Sequence, residues 1–166
     1  MPDIAVPFFT SVPAAPPPWP GIVVVMEGNG ISPQLLRVCE RLAHEGYATV
    51  APDLYWRFGG SDPTRAMDHL GALQHADGRA DIVESVSWLR AIGATKVGIT
   101  GFCMGGGYAY LAAISGDVDA AVPSTAPASH SGSPPRSAPC SHSSAGTTNG
   151  SREPTSPRSS STTPAT

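Results

Sequence analysis

Cys103 is the residue in this sequence best placed to do chemistry. It lies in the stretch 96–107, KVGITGFCMGGG, with Gly101 two positions before it and Gly105 and Gly106 following. A thiol framed in this way suits nucleophilic attack on a carbonyl carbon. A side chain held at the apex of a sharp turn occupies a strained backbone position, so its neighbours two residues away must be small. Val97, Ile99 and Thr100 make a β-prone run before the turn, and residues 108–114 are good helix formers after it. The N-terminus of that helix points at the sulfur and favours thiolate over thiol. Gly-x-Cys-x-Gly-Gly is thus the cysteine form of the Gly-x-Ser-x-Gly nucleophile elbow.

Two other readings fit the same letters. One is a buried cysteine in a glycine-rich packing turn, since free cysteine is commonly buried. The other is a nucleotide fold, because Thr100-Gly101-x-x-x-Gly105-x-Gly107 also matches the Gly-rich turn of NAD(P)-binding dehydrogenases. That turn belongs on the first strand of its domain, whereas at least two β/α units precede it here. The elbow is the better fit.

The elements that must position Cys103 can be read in order. Residues 1–20 are irregular, with Ile4–Phe9 a candidate edge strand limited by Pro7. Residues 21–26, GIVVVM, form a continuous apolar run suited to a strand buried on both faces. Ser32 and Pro33 start a helix, with Leu35, Leu36, Val38, Cys39 and Leu42 on its apolar face and Gly46 as its stop. Residues 47–51 are the next strand. The segment 55–77 is loop-like with one helical stretch over 63–73. Residues 77–92 form an amphipathic helix on Ala80, Ile82, Val83, Val86, Leu89 and Ile92. The Cys103 strand follows, and residues 118–122 open a fourth. This alternation calls for right-handed crossovers and a parallel sheet with flanking helices, an α/β fold. Ligand sites in such sheets lie beyond the carboxyl ends of the strands, where Glu27, Asp53 and Cys103 all fall.

Composition bounds the rest. A net charge of -3 and a pI near 5.9, with no basic stripe, argue against nucleic acid as a partner. The three cysteines match no zinc or redox spacing, and no metal or organic cofactor is implied. No run approaches the length of a membrane span and no secretory signal is visible, so cytoplasm is the default. Tyr55 and Arg57 stand where they could orient a carboxylate-bearing substrate. Asp53 reads as a turn residue, and His44, His69 and His75 as surface residues.

Taken together, three stretches make residues 20–122 resemble the dienelactone hydrolase family of α/β-hydrolases: 23–30 (VVVMEGNG), 46–55 (GYATVAPDLY) and 96–106 (KVGITGFCMGG). The resemblance covers roughly the first half of a family domain. It implies that Cys103 is the nucleophile and that Glu27 is the carboxylate that contacts the thiol and controls its ionisation. It implies also that the backbone N–H groups of Met104 and Gly28 form the oxyanion hole. The substrate implied is a small carboxylic ester or lactone.

From residue 123 the chain changes character. Three-quarters of residues 123–166 are Ser, Pro, Thr or Ala, and Leu, Ile, Val, Phe, Tyr, Trp and Met are absent. Such a segment cannot build a core and reads as a disordered tail. The domain plan is therefore an irregular segment 1–20, a truncated α/β-hydrolase-like domain 21–122, and the tail 123–166. The family's catalytic aspartate and histidine would fall within that tail, where His130 and His142 have no scaffold. The expectation is a hydrolase by descent with weak or no activity, or else a non-catalytic pseudoenzyme whose tail recruits a protein partner. A reading-frame slip just after Val122 accounts for the loss of every residue whose codon has T in the middle.

Overall fold

The sheet is built outward from the apolar run at its centre. In the computed structural model, which describes residues 5–124, five strands lie in the order β1-β3-β2-β4-β5. They are β1 (Phe8–Ser11), β2 (Trp19–Val25), β3 (Ala48–Pro52), β4 (Ala94–Gly101) and β5 (Ala120–Pro123). β2 sits between β3 and β4, parallel to both, and Val23, Val24 and Val25 are completely buried, as a central strand requires. β5 adds in parallel to β4 at one edge. The other edge differs from the all-parallel expectation. β1 pairs antiparallel with β3, so the sheet is mixed, and part of the irregular 1–20 segment is strand. Phe8 reaches the core by packing on Trp88, with ring centroids 4.7 Å apart.

Four helices flank the sheet: α1 (Pro33–His44), α2 (Ala66–Ala72), α3 (His75–Ala91) and α4 (Met104–Ser115). α1 starts as its sequence dictates. The Leu35 amide donates to the Ser32 hydroxyl at 3.2 Å, Pro33 opens the first turn, and Gly46 takes a positive φ of 94° just past the end. Gly21 shows which face α3 covers, because a Cβ there would lie 3.3 Å from Leu89 Cδ1.

The buried face of α3 is only partly the one its apolar pattern suggests. Ile82, Val86 and Leu89 are buried as expected, but Val83 is exposed while Asp81, Ser85 and Trp88 are buried. Asp81 is tolerated there because Arg57 grips it with both terminal nitrogens, at 2.7 and 2.9 Å. The tail, with His130 and His142, lies outside the described residues apart from Pro123 and Ser124.

Candidate active site

Strand register brings the candidate residues together. Val25 pairs with Gly101 across β2 and β4, so Glu27 and Cys103 each follow two residues beyond a matched pair on adjacent parallel strands. Val23 pairs with Val50, which sends Asp53 and Tyr55 past the same end of the sheet from β3. All these residues lie at the carboxyl edge, where α/β sheets hold their ligands.

Cys103 caps α4 with φ 52° and ψ −115°, and it is the only non-glycine residue with positive φ among the described residues. Such a conformation costs on the order of 1–3 kcal/mol and persists only where the surroundings impose it. The surroundings do so through glycine. A Cβ on Gly101 would run into the Gly105 backbone, and one on Gly105 would lie 2.5 Å from the Val25 carbonyl oxygen and 2.7 Å from that of Met26. The strand end, turn and helix start are in backbone-to-backbone contact, as the spacing around Cys103 predicts. The thiol is exposed. Behind it, the Gly106 and Gly107 amides donate to the Cys103 carbonyl at 3.0 and 3.3 Å, which closes the first turn of α4. The Met104 amide, at the first residue of α4, makes no hydrogen bond among the described residues.

The facing loop is a tight turn in which the Gly30 amide donates to the Glu27 carbonyl at 3.0 Å. Glu27 is half-buried, and its carboxylate has no hydrogen bond or ion pair among the described residues. The Gly28 amide is likewise without an acceptor there. Asp53 and Ser61 brace this loop from the side. Asp53 accepts from the Ser61 hydroxyl at 2.8 Å, from the Ser61 amide at 2.9 Å and from the Tyr55 amide at 3.0 Å. The Ser61 hydroxyl accepts in turn from the Ile31 amide at 2.8 Å. Asp53 is therefore a turn residue, in line with its sequence. A Cβ on Gly30 would lie 2.5 Å from the Ser61 oxygen, so this close approach needs glycine, as does its φ of 88°.

Tyr55 is fully buried, and its hydroxyl donates to the Gly28 carbonyl at 2.8 Å and lies 3.8 Å from the Met104 sulfur. Burial, then the charge of Asp53, then that of Cys103 push its phenol above the ordinary value. Tyr55 thus belongs to the Cys103 neighbourhood. Arg57 is committed elsewhere: its two terminal nitrogens hold Asp81 and its guanidinium lies 4.6 Å from the Trp56 ring centre.

His44 and His75 are exposed, as their sequence setting suggests, but His69 is not. It is 2% exposed on α2 and packs on Tyr55 and Phe58. Its helix is only seven residues long, and no periodicity in so short a segment marks which face is covered. Among the described residues no group of three His, Cys, Asp or Glu is placed to hold a metal ion. None of their helices is long and apolar enough to cross a membrane.

The model of the dienelactone hydrolase family matches residues 7–144. The chain belongs to that family. A protein of Methylorubrum extorquens strain AM1 named "Putative carboxymethylenebutenolidase" is 32% identical over 119 residues, 67% of this chain and 41% of the relative. The carboxymethylenebutenolidase of Pseudomonas putida is 32% identical over 119 residues, 63% of this chain and 49% of its own. Among solved structures, the "Putative Dienelactone Hydrolase" of Klebsiella pneumoniae subsp. pneumoniae MGH 78578 superposes with a TM-score of 0.58 at 32% identity. That match covers 66% of this chain and 49% of the other. The chain spans less than half the length of each of these relatives. Family membership favours the elbow over the nucleotide turn, and so does the place of Cys103 after β4, the third of the parallel strands in chain order.

Proposed function

We propose that this chain carries the nucleophile half of a hydrolase site for small carboxylic esters or lactones. The observation that carries the reading is the backbone of Cys103, an exposed thiol held at positive φ on the N-terminus of α4 with glycine clearance on both sides. The Cys103 thiolate attacks the carbonyl carbon, and the negative charge that develops on oxygen is received by the Met104 and Gly28 amides. Collapse of the tetrahedral adduct expels the alkoxide, which takes up a proton, and leaves a thioester on Cys103. Water then hydrolyses the thioester and regenerates the thiol. Glu27, at the adjacent strand end, is the carboxylate that tunes the thiol. Tyr55 shapes the wall beside it, and Arg57 acts on substrate only by releasing Asp81.

Among the described residues no imidazole hydrogen-bonds Cys103, and His69 packs against Tyr55 with neither ring nitrogen bonded. Loss of a triad member lowers turnover by several powers of ten. The expected behaviour is therefore acylation with slow release. Mixing the chain with p-nitrophenyl acetate should give a burst of nitrophenolate and an acetyl mass increment on Cys103, both absent in Cys103→Ala. An acetyl group found on another residue, or no burst in the folded wild-type chain, refutes the reading.

A further inference from the structure

Among the described residues His69 is held by ring contacts and by no hydrogen bond of its imidazole. Its imidazole is 2% exposed, and neither ring nitrogen has a hydrogen-bond partner among the described residues. The imidazole does make one well-formed contact. It meets the Tyr55 ring in a T-shaped arrangement, centroids 5.2 Å apart at 66°, and Phe58 supports it at 5.7 Å. Tyr55 in turn reaches the Gly28 peptide, its hydroxyl donating to the Gly28 carbonyl at 2.8 Å, and lies 3.8 Å from the Met104 side-chain sulfur. The next residue of α2 reaches the same loop directly, since a Cβ on Gly28 would sit 3.5 Å from Leu70 Cδ2.

We infer that His69 is a positioning residue for the oxyanion loop of the Cys103 site, acting through Tyr55. The imidazole fixes the tilt of the Tyr55 ring, the ring fixes where its hydroxyl lies, and the hydroxyl holds the Gly28 peptide in place beside Cys103. This rests on the hydrolase reading above. It adds α2 to the machinery as the element that sets oxyanion geometry from behind.

The test separates oxyanion stabilisation from thiol reactivity. Acylation of Cys103 by p-nitrophenyl acetate needs the oxyanion donors, whereas alkylation by iodoacetamide does not. His69→Leu fills similar space without an aromatic contact, and His69→Phe restores one. His69→Leu should lower acylation about tenfold while alkylation stays within about twofold, because donors that are slightly displaced lose much of their effect. His69→Phe should restore acylation to near the wild-type rate. In a Tyr55→Phe background, which lacks the hydroxyl, His69→Leu should cause no further loss. Cys39, which is fully buried, reports folding within the same molecule and should stay unlabelled throughout. The inference is overturned if His69→Leu leaves acylation unchanged, lowers both rates together, acts equally in the Tyr55→Phe background, or exposes Cys39. A wild-type ratio of acylation to alkylation no higher than that of N-acetylcysteine removes the hydrolase reading and this inference with it. A raised ratio that His69→Leu does not move removes only the inference.

Discussion

Cys39 and Cys103 are both free thiols, and their surroundings set their reactivity apart. Cys39 lies on the buried face of α1, where desolvation pushes its thiol up to about 11, against a smaller opposing hydrogen bond involving Thr49. At neutral pH it is a protonated, inaccessible sulfur. Cys103 is exposed at the N-terminus of α4, where a reagent in solution can reach its sulfur. Limiting iodoacetamide at pH 7.5, followed by peptide mass mapping, should label Cys103 well ahead of Cys39. Preferential labelling of Cys39 in folded protein would contradict the elbow geometry. The turn at Cys103 was legible in the sequence because its constraint is local: glycines two residues to either side suffice to specify it. His69 and Asp81 were not legible. Their burial depends on Tyr55, Phe58 and Arg57, which meet them only after the chain has folded back.

At the scale of elements, the β4–α4 junction is held by glycine against backbone, and this makes it brittle. A methyl on Gly105 would press on the Val25 and Met26 carbonyls, and neither can swing aside as a flexible side chain would. Gly105→Ala should destabilise the chain by about 2–3 kcal/mol. Gly71→Ala, in α2 with nothing within 4 Å of the new methyl, should instead stabilise by about 0.5 kcal/mol. Urea midpoints for the two variants should shift in opposite directions from wild type. A second device pins β5 to β4. Asp119 accepts from the Val97 amide and from Lys96 Nζ, both at 2.9 Å, and these bonds hold its carboxyl below the ordinary range. Because the folded state depresses this pKa, its contribution is present above the unfolded carboxylate value of about 3.9 and fades as pH falls through the folded one. Asp119→Asn should be less stable than wild type at pH 7, and the gap in denaturation midpoint should narrow by pH 3. A gap independent of pH would show that the carboxylate charge contributes nothing. Of these elements, the caps of α1 and the central strand followed from sequence, since each is written in adjacent residues. The antiparallel β1 was harder to read, because its partner β3 lies some forty residues away and a four-residue strand carries little pattern of its own.

For the molecule as a whole, the order of strands and helices was readable because alternating β and α segments leave few ways to close a sheet. Which faces of that sheet stay uncovered depends on assembled packing. α3 lies over the face that carries Gly21, so the alternate residues of β2 point to the opposite side, where α1 packs. Ile22, Gly98, Thr100, Ala120 and Val122 line a shallow groove of about 490 Å³ together with Leu42 of α1 and Tyr47. Val122 is 66% exposed on the edge strand β5. Among the described residues no strand pairs with the outer edge of β5, and an apolar strip beside such an edge favours self-association. The chain should therefore bind 8-anilinonaphthalene-1-sulfonate at neutral pH while keeping a native near-ultraviolet circular dichroism signal, a combination that distinguishes a bare native surface from a molten state. Its apparent mass in light scattering should rise with concentration. Val122→Lys, which places a charge on the edge without touching the Cys103 site, should reduce both the dye signal and the association. A strictly monomeric chain that binds no dye and unfolds in one sharp transition would show that the strip is covered, and the open-sheet account would fall.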